Sequence, residues 1–99
     1  MRLSLEQQQI IRKTAKEIFG EEVTVSLFGS RTNDDLKGGD IDLLVQSENL
    51  IGARQQKSLQ FVARLQIRLG DQPIDVIIVD PGVRQQAIHN EAIRTGVKL

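Results

Sequence analysis

Along the chain, apolar positions switch period several times, and each switch marks an element. From Ser4 to Phe19, Ile11, Ala15 and Ile18 recur at helical spacing and define one apolar face. Ser4 and Gln7 have capping-box spacing, and Gly20 follows where a left-handed residue closes a helix. Val23 through Phe28 then alternates as a strand, with Val23, Val25 and Leu27 on one side. The stretch from Arg31 to Gly39 is polar and reads as a loop or short helical turn.

A second strand is expected over Asp40–Val45, where Ile41, Leu43 and Val45 alternate with Asp40, Asp42 and Leu44. Leu50 to Leu69 reads as a long helix on Leu59, Val62, Leu65 and Leu69, ended by Gly70. Pro73–Val79 carries a run of branched residues and is the strongest strand signal. Asp80-Pro81 has the form of an N-cap followed by a first-turn proline, so a last helix is expected from there to about Thr95, with Gly96 after it. The order α-β-β-α-β-α predicts an α/β (α+β) domain: a small mixed β-sheet with helices packed against it. Residues 1–99 are read as one domain.

Composition narrows the function. Hydrophobic residues are 39% and charged residues 26%, the balance of an ordinary globule. Lys plus Arg and Asp plus Glu are both 13, which argues against a broad electrostatic clamp on DNA. With no cysteine, disulfides and thiolate metal sites are excluded, and the one histidine, His89, reads as a surface or packing residue. No apolar run approaches the ~20 residues of a membrane span, and no signal peptide is visible, so a cytoplasmic location is expected. Phe19, Phe28 and Phe61 read as core, and the Gln pairs as solvated helix faces.

The carboxylates are the anomaly. Asp40 and Asp42 lie two apart and so point to one face of a strand. Alone, such a pair is a solvated face. Asp75, however, interrupts the apolar run Ile74-Asp75-Val76-Ile77-Ile78. If that strand lies beside 40–45, three carboxylates converge, an arrangement that a hard cation such as Mg²⁺ would stabilise. Gly29-Ser30 ends the neighbouring strand; there the glycine permits close backbone approach and the turn suits phosphate oxygens. Gly38-Gly39 sit just before Asp40.

Gly29-Ser30, nine residues, Asp40-Ile41-Asp42, then Asp75 on a later strand together resemble the DNA polymerase beta nucleotidyltransferase superfamily. The run Leu-Phe-Gly-Ser-Arg-Thr-Asn-Asp-Asp-Leu-Lys-Gly-Gly-Asp-Ile-Asp-Leu-Leu-Val is similar to that of the minimal nucleotidyltransferases, and the resemblance covers roughly Leu3 to Val79. It implies a nucleotidyltransferase fold in which Asp40, Asp42 and Asp75 are the catalytic and metal-binding acids, serving two Mg²⁺ ions. It also implies that Gly29, Ser30, Arg31 and Gly39 bind the nucleotide. The implied reaction is in-line attack on the α-phosphorus of a nucleoside triphosphate, ATP expected, with pyrophosphate leaving. Such chains commonly act as antitoxins to a small helical HEPN-type toxin, which they adenylylate on tyrosine.

One departure is local. Where the family often has arginine three residues after the serine, this chain has Asn33, followed by Asp34 and Asp35, so weaker nucleotide binding is expected. Its size also leaves no evident acceptor pocket, which points to a partner protein or a homo-oligomer. Two other readings stay open: an antitoxin of this fold that neutralises its partner by binding alone, and a small-molecule adenylyltransferase of the antibiotic-modifying kind. A DNA polymerase role fits least.

Overall fold

A computed structural model describes residues 3–29, 41–82 and 87–99. Its elements are α1 (Leu5–Phe19), β1 (Thr24–Phe28), β2 (Ile41–Gln46), α2 (Arg54–Leu69), β3 (Ile74–Val79), α3 (Ala87–Thr95) and β4 (Val97–Lys98). The mixed α/β architecture expected from the sequence is therefore present, with one strand more. The sheet order is β3-β2-β1-β4; β2 runs antiparallel to β1 and parallel to β3, and β4 is antiparallel to β1.

The capping box forms as its spacing predicts. The Gln7 N–H donates to Ser4 Oγ at 3.1 Å, and the Ser4 N–H donates to Gln7 Oε1 at 2.9 Å. Gly20 and Gly70 end their helices at φ 110° and 101°, where any side chain would be strained. α1 and α2 cover one face of the sheet. Ile11, Ala15, Phe61 and Leu65 from the helices meet Val25, Leu27, Ile41, Leu43, Val45 and Ile74 from the strands in one buried cluster. Phe19 and Phe61 meet edge to face, with ring centroids 5.3 Å apart. A smaller cluster on the opposite face joins Leu44 and Val79 to Ala92 of α3, with Phe28 and Ile77 packed against it.

Two expectations need correction. The long helix begins at Arg54 rather than Leu50. Before it, Ala53 is left-handed (φ 53°), Leu50 is exposed, and the Ile51 N–H is taken by the Asp80 carboxylate at 2.7 Å. Leu59, expected on the inner face of that helix, is 66% exposed; Phe61 fills the interior instead.

After Asp80, Pro81 and Gly82 form a turn and α3 is described over Ala87–Thr95; the stretch between, over which the helix expected from Asp80-Pro81 would run, lies outside the described residues. The side chain of Asp80 gathers three donors. It accepts from the Ile51 N–H, from Arg54 Nη1 at 2.7 Å and from the Gly82 N–H at 3.0 Å. Burial pushes the Asp80 carboxyl up. The Ile51, Arg54 and Gly82 hydrogen bonds and the Arg54 charge outweigh that cost, so its pKa lies below the ordinary carboxylate value.

Beyond Gly96 the chain forms β4, which the sequence pattern did not suggest. A Cβ on Gly96 would stand 2.7 Å from the Ala92 carbonyl and 3.1 Å from Ser26 Cβ, so glycine lets the chain leave α3 tightly against β1. The Leu99 N–H then donates to the Val25 carbonyl at 2.9 Å.

Candidate active site

The site lies where β1 ends beside the starts of β2 and β3. Alternation along β2 decides which side chains reach it. Ile41, Leu43 and Val45 are fully buried under α1 and α2, so Asp42 and Leu44 must face the other way. A slip of one residue would drive the Asp42 carboxylate into that core, so the apolar positions lock the register.

Across the sheet, Asp42 is the Cα partner of Phe28 on one side and of Asp75 on the other. The parallel β2–β3 ladder is fixed at both ends. The Ile41 N–H donates to the Pro73 carbonyl at 2.9 Å, and the Ser47 N–H to the Val79 carbonyl at 3.0 Å. Asp42 and Asp75 thus sit side by side on neighbouring strands, about 4.8 Å apart in the sheet, on the face that carries α3. Asp42 is half-buried and Asp75 is exposed. The sequence argument required these two strands to be neighbours, and they are.

Gly29 follows Phe28 with φ 78°. A Cβ there would lie 3.2 Å from Asp42 Cγ and 3.5 Å from its Cβ, and would overlap Asp42 Oδ2. The chain therefore turns over the Asp42 carboxylate with room for a backbone and nothing more.

Of the seven site residues expected from sequence, Gly29, Asp42 and Asp75 are brought together. Ser30, Arg31, Gly39 and Asp40 lie outside the described residues, as do Lys37, Gly38, Asn33, Asp34 and Asp35. Among the described residues no group of three or more His, Asp or Glu side chains gathers as a metal site. Asp42 and Asp75 supply two carboxylates, the donor type that suits a hard divalent cation. His89 is half-buried on α3 and lines a groove with Val76 and Ile78.

Sequence reasoning missed one property of the site. β3 is an outer strand, so Asp75 lies at the margin of the sheet rather than inside it. The charged Asp75 inside an otherwise apolar run was the available signal.

The nucleotidyltransferase domain family matches residues 9–96. The chain belongs to that family. Among solved structures, a chain of the MntA–HpeT toxin–antitoxin complex is similar at a TM-score of 0.61 and 22% identity, over 96% of this chain and 71% of that one. A chain of the complex of tri-AMPylated Shewanella oneidensis HEPN toxin with MNT antitoxin is similar at a TM-score of 0.52 and 19% identity, covering 92% and 70%. A nucleotidyltransferase-like protein from Sulfolobus solfataricus shares 27% identity over 95% of this chain and 83% of that one, with a TM-score of 0.46. No curated protein matches.

Gly29, Asp42 and Asp75 meet at the ends of β1, β2 and β3, within the span that the family matches. Among the described residues no helix is long and apolar enough to cross a membrane.

Proposed function

We propose that this nucleotidyltransferase uses Mg²⁺ to transfer AMP from ATP to a small helical HEPN-type toxin, and so acts as its antitoxin. The observation that carries the reading is the Asp42–Asp75 pair on adjacent strands, roofed by a glycine that only a backbone can replace. A family match over residues 9–96 and the fold shared with chains of two toxin–antitoxin complexes support it.

The residues fit a divalent cation by chemistry. Two carboxylates held side by side repel one another in the absence of a counter-charge, and Asp40, two residues before Asp42, would add a third. Bound Mg²⁺ would neutralise the phosphates and stabilise the entering and leaving oxygens. The chain's own contribution is position. Asp42, half-buried and fixed by the β2 register, would hold the metal end of the triphosphate. Gly29 and Ser30 would let phosphate oxygens approach the backbone, and Arg31 would offset their charge.

Asp75, the more exposed acid, would face the acceptor hydroxyl. In the transfer the acceptor oxygen forms a bond to the α-phosphorus, and the bond from that phosphorus to the β-phosphate oxygen breaks. Pyrophosphate leaves with the electron pair, and the acceptor proton passes to the Asp75 carboxylate. Incubation with α-labelled ATP, Mg²⁺ and the cognate toxin tests the reading. Label is expected on the toxin, and none with Asp42→Ala. Absence of label under any divalent metal overturns it.

The Asn33-Asp34-Asp35 run favours a second reading, neutralisation by contact alone, because it adds negative charge close in sequence to the nucleotide-binding residues. In that case an Asp40→Ala, Asp42→Ala double variant still protects cells from the toxin.

A further inference from the structure

The outer edge of β3 lies next to Asp75. In a parallel ladder a residue turns both its N–H and its C=O to one side, and sides alternate along the strand. The Pro73 and Val79 carbonyls face β2, as their bonds to Ile41 and Ser47 show. Positions 75 and 77 therefore face β2 as well, while Ile74, Val76 and Ile78 turn their N–H and C=O groups outward. Among the described residues no strand lies beyond β3.

That edge opens into a groove of about 600 Å³ lined by Arg54, Ser58 and Leu59 of α2, Val76 and Ile78 of β3, and His89 of α3. Leu59 is 66% exposed, a large apolar side chain standing over the groove with nothing described upon it. Edge strands are usually blunted by charge, proline or cover. Here only the charge of Asp75 blunts the first half of β3, and Val76 and Ile78 remain half-buried and uncharged.

We propose that this edge is the acceptor subsite. An extended segment of the protein to be modified adds as a strand beside β3, pairing with the backbone of Val76 and Ile78 and laying apolar side chains against Leu59. A row of backbone donors and acceptors that no described strand pairs selects an extended polypeptide as the occupant. A residue of the added strand opposite Asp75, on the same face, lies one strand spacing away, about 4.8 Å. A serine, threonine or tyrosine hydroxyl at that place reaches the acid that takes its proton. The inference rests on the transfer reaction proposed above and names where its acceptor sits.

The test uses the whole chain, ¹⁵N-labelled, with a pooled library of nine-residue peptides bearing a central Ser, Thr or Tyr. In the free chain the Val76 and Ile78 amides are expected to exchange with deuterium at least ten-fold faster than those of Asp75 and Ile77. Bound peptide slows them at least ten-fold. Ile78→Pro removes one outward N–H without touching the β2 ladder and is expected to abolish peptide binding while Mg-ATP binding stays within two-fold. Leu59→Lys serves the same purpose should the proline variant not fold.

Slow exchange of Val76 and Ile78 in the free chain, or no binding by any peptide, overturns the proposal. So does peptide binding that survives Ile78→Pro, or that perturbs α2 without slowing these two amides, as a helical occupant would. Failure of the wild-type chain to bind Mg-ATP counts against the transfer reaction alone, and the exchange measurement still decides the edge.

Discussion

Gly29 and Asp42 occupy a single small volume: a Cβ added to Gly29 would stand 3.2 Å from Asp42 Cγ and inside contact distance of its Oδ2. The backbone of Gly29 also has φ 78°, which L residues rarely adopt. Gly29→Ala therefore meets two penalties at once. We expect a stability loss of about 1–3 kcal/mol and displacement of the Asp42 carboxylate. Mg-ATP binding should weaken at least ten-fold, read by calorimetry on the folded variant. Unchanged affinity would show that Asp42 does not serve the nucleotide.

Asp42 and Asp75 are register partners with unequal exposure, and they should fail differently. Asp42→Asn is expected to lose both metal-dependent nucleotide binding and transfer. Asp75→Asn should keep nucleotide binding within a few-fold and lose transfer by a factor on the order of 10²–10⁴, the usual worth of a positioned base. Paired binding and single-turnover measurements separate the two. Equal loss of binding in both variants would assign the acids a shared metal role.

Asp80 lies at the far end of β3 from Asp75, about 16 Å along the strand, and its role is structural. Its pKa is depressed in the folded chain, so its contribution is complete above the unfolded value of about 3.9. That contribution is lost as pH falls below this value toward the folded one. The wild type should therefore lose thermal stability more steeply than Asp80→Asn between about pH 5 and pH 3. Asp80→Ala should cost about 2–3 kcal/mol near neutral pH, because it strands the buried Ile51 N–H and breaks the Arg54 pair. Denaturant titration across pH measures both.

Within α2, Phe61 is fully buried and Leu59 is 66% exposed, although both are large and apolar. Phe61→Ala should destabilise by about 3–5 kcal/mol through the cavity it leaves. Leu59→Ser should stay within about 0.5 kcal/mol. A large cost at Leu59 would mean that a second surface already covers it in solution.

How much of this was legible before folding varies by element. The capping box of α1 and the alternation of β1 and β2 depend on neighbours a few residues away, and there the pattern read true. Leu59 misled because Leu59, Val62, Leu65 and Leu69 are spaced well enough to form a helical face. Val62, Leu65 and Leu69 do pack on the core, and Phe61, which meets Phe19 on α1, is buried where Leu59 is not. At Asp80 the carboxylate takes donors from the turn, from Ile51 and from Arg54, and the last two lie too far away in sequence for a local pattern to show them.

The sequence by itself determined the identities and spacing of the acids, the glycine before Ser30 and the alternation that turns Asp42 away from the core. These follow from covalent order and the two-residue period of a strand. Only the tertiary structure decided that β2 and β3 pair in parallel with Asp42 opposite Asp75. It alone placed β3 at the margin of the sheet and let β4 close the other side against β1. Strand neighbours and edges are set by burying the apolar faces together, one under α1 and α2 and the other against α3, a condition that involves the whole chain and is written in no local window of it.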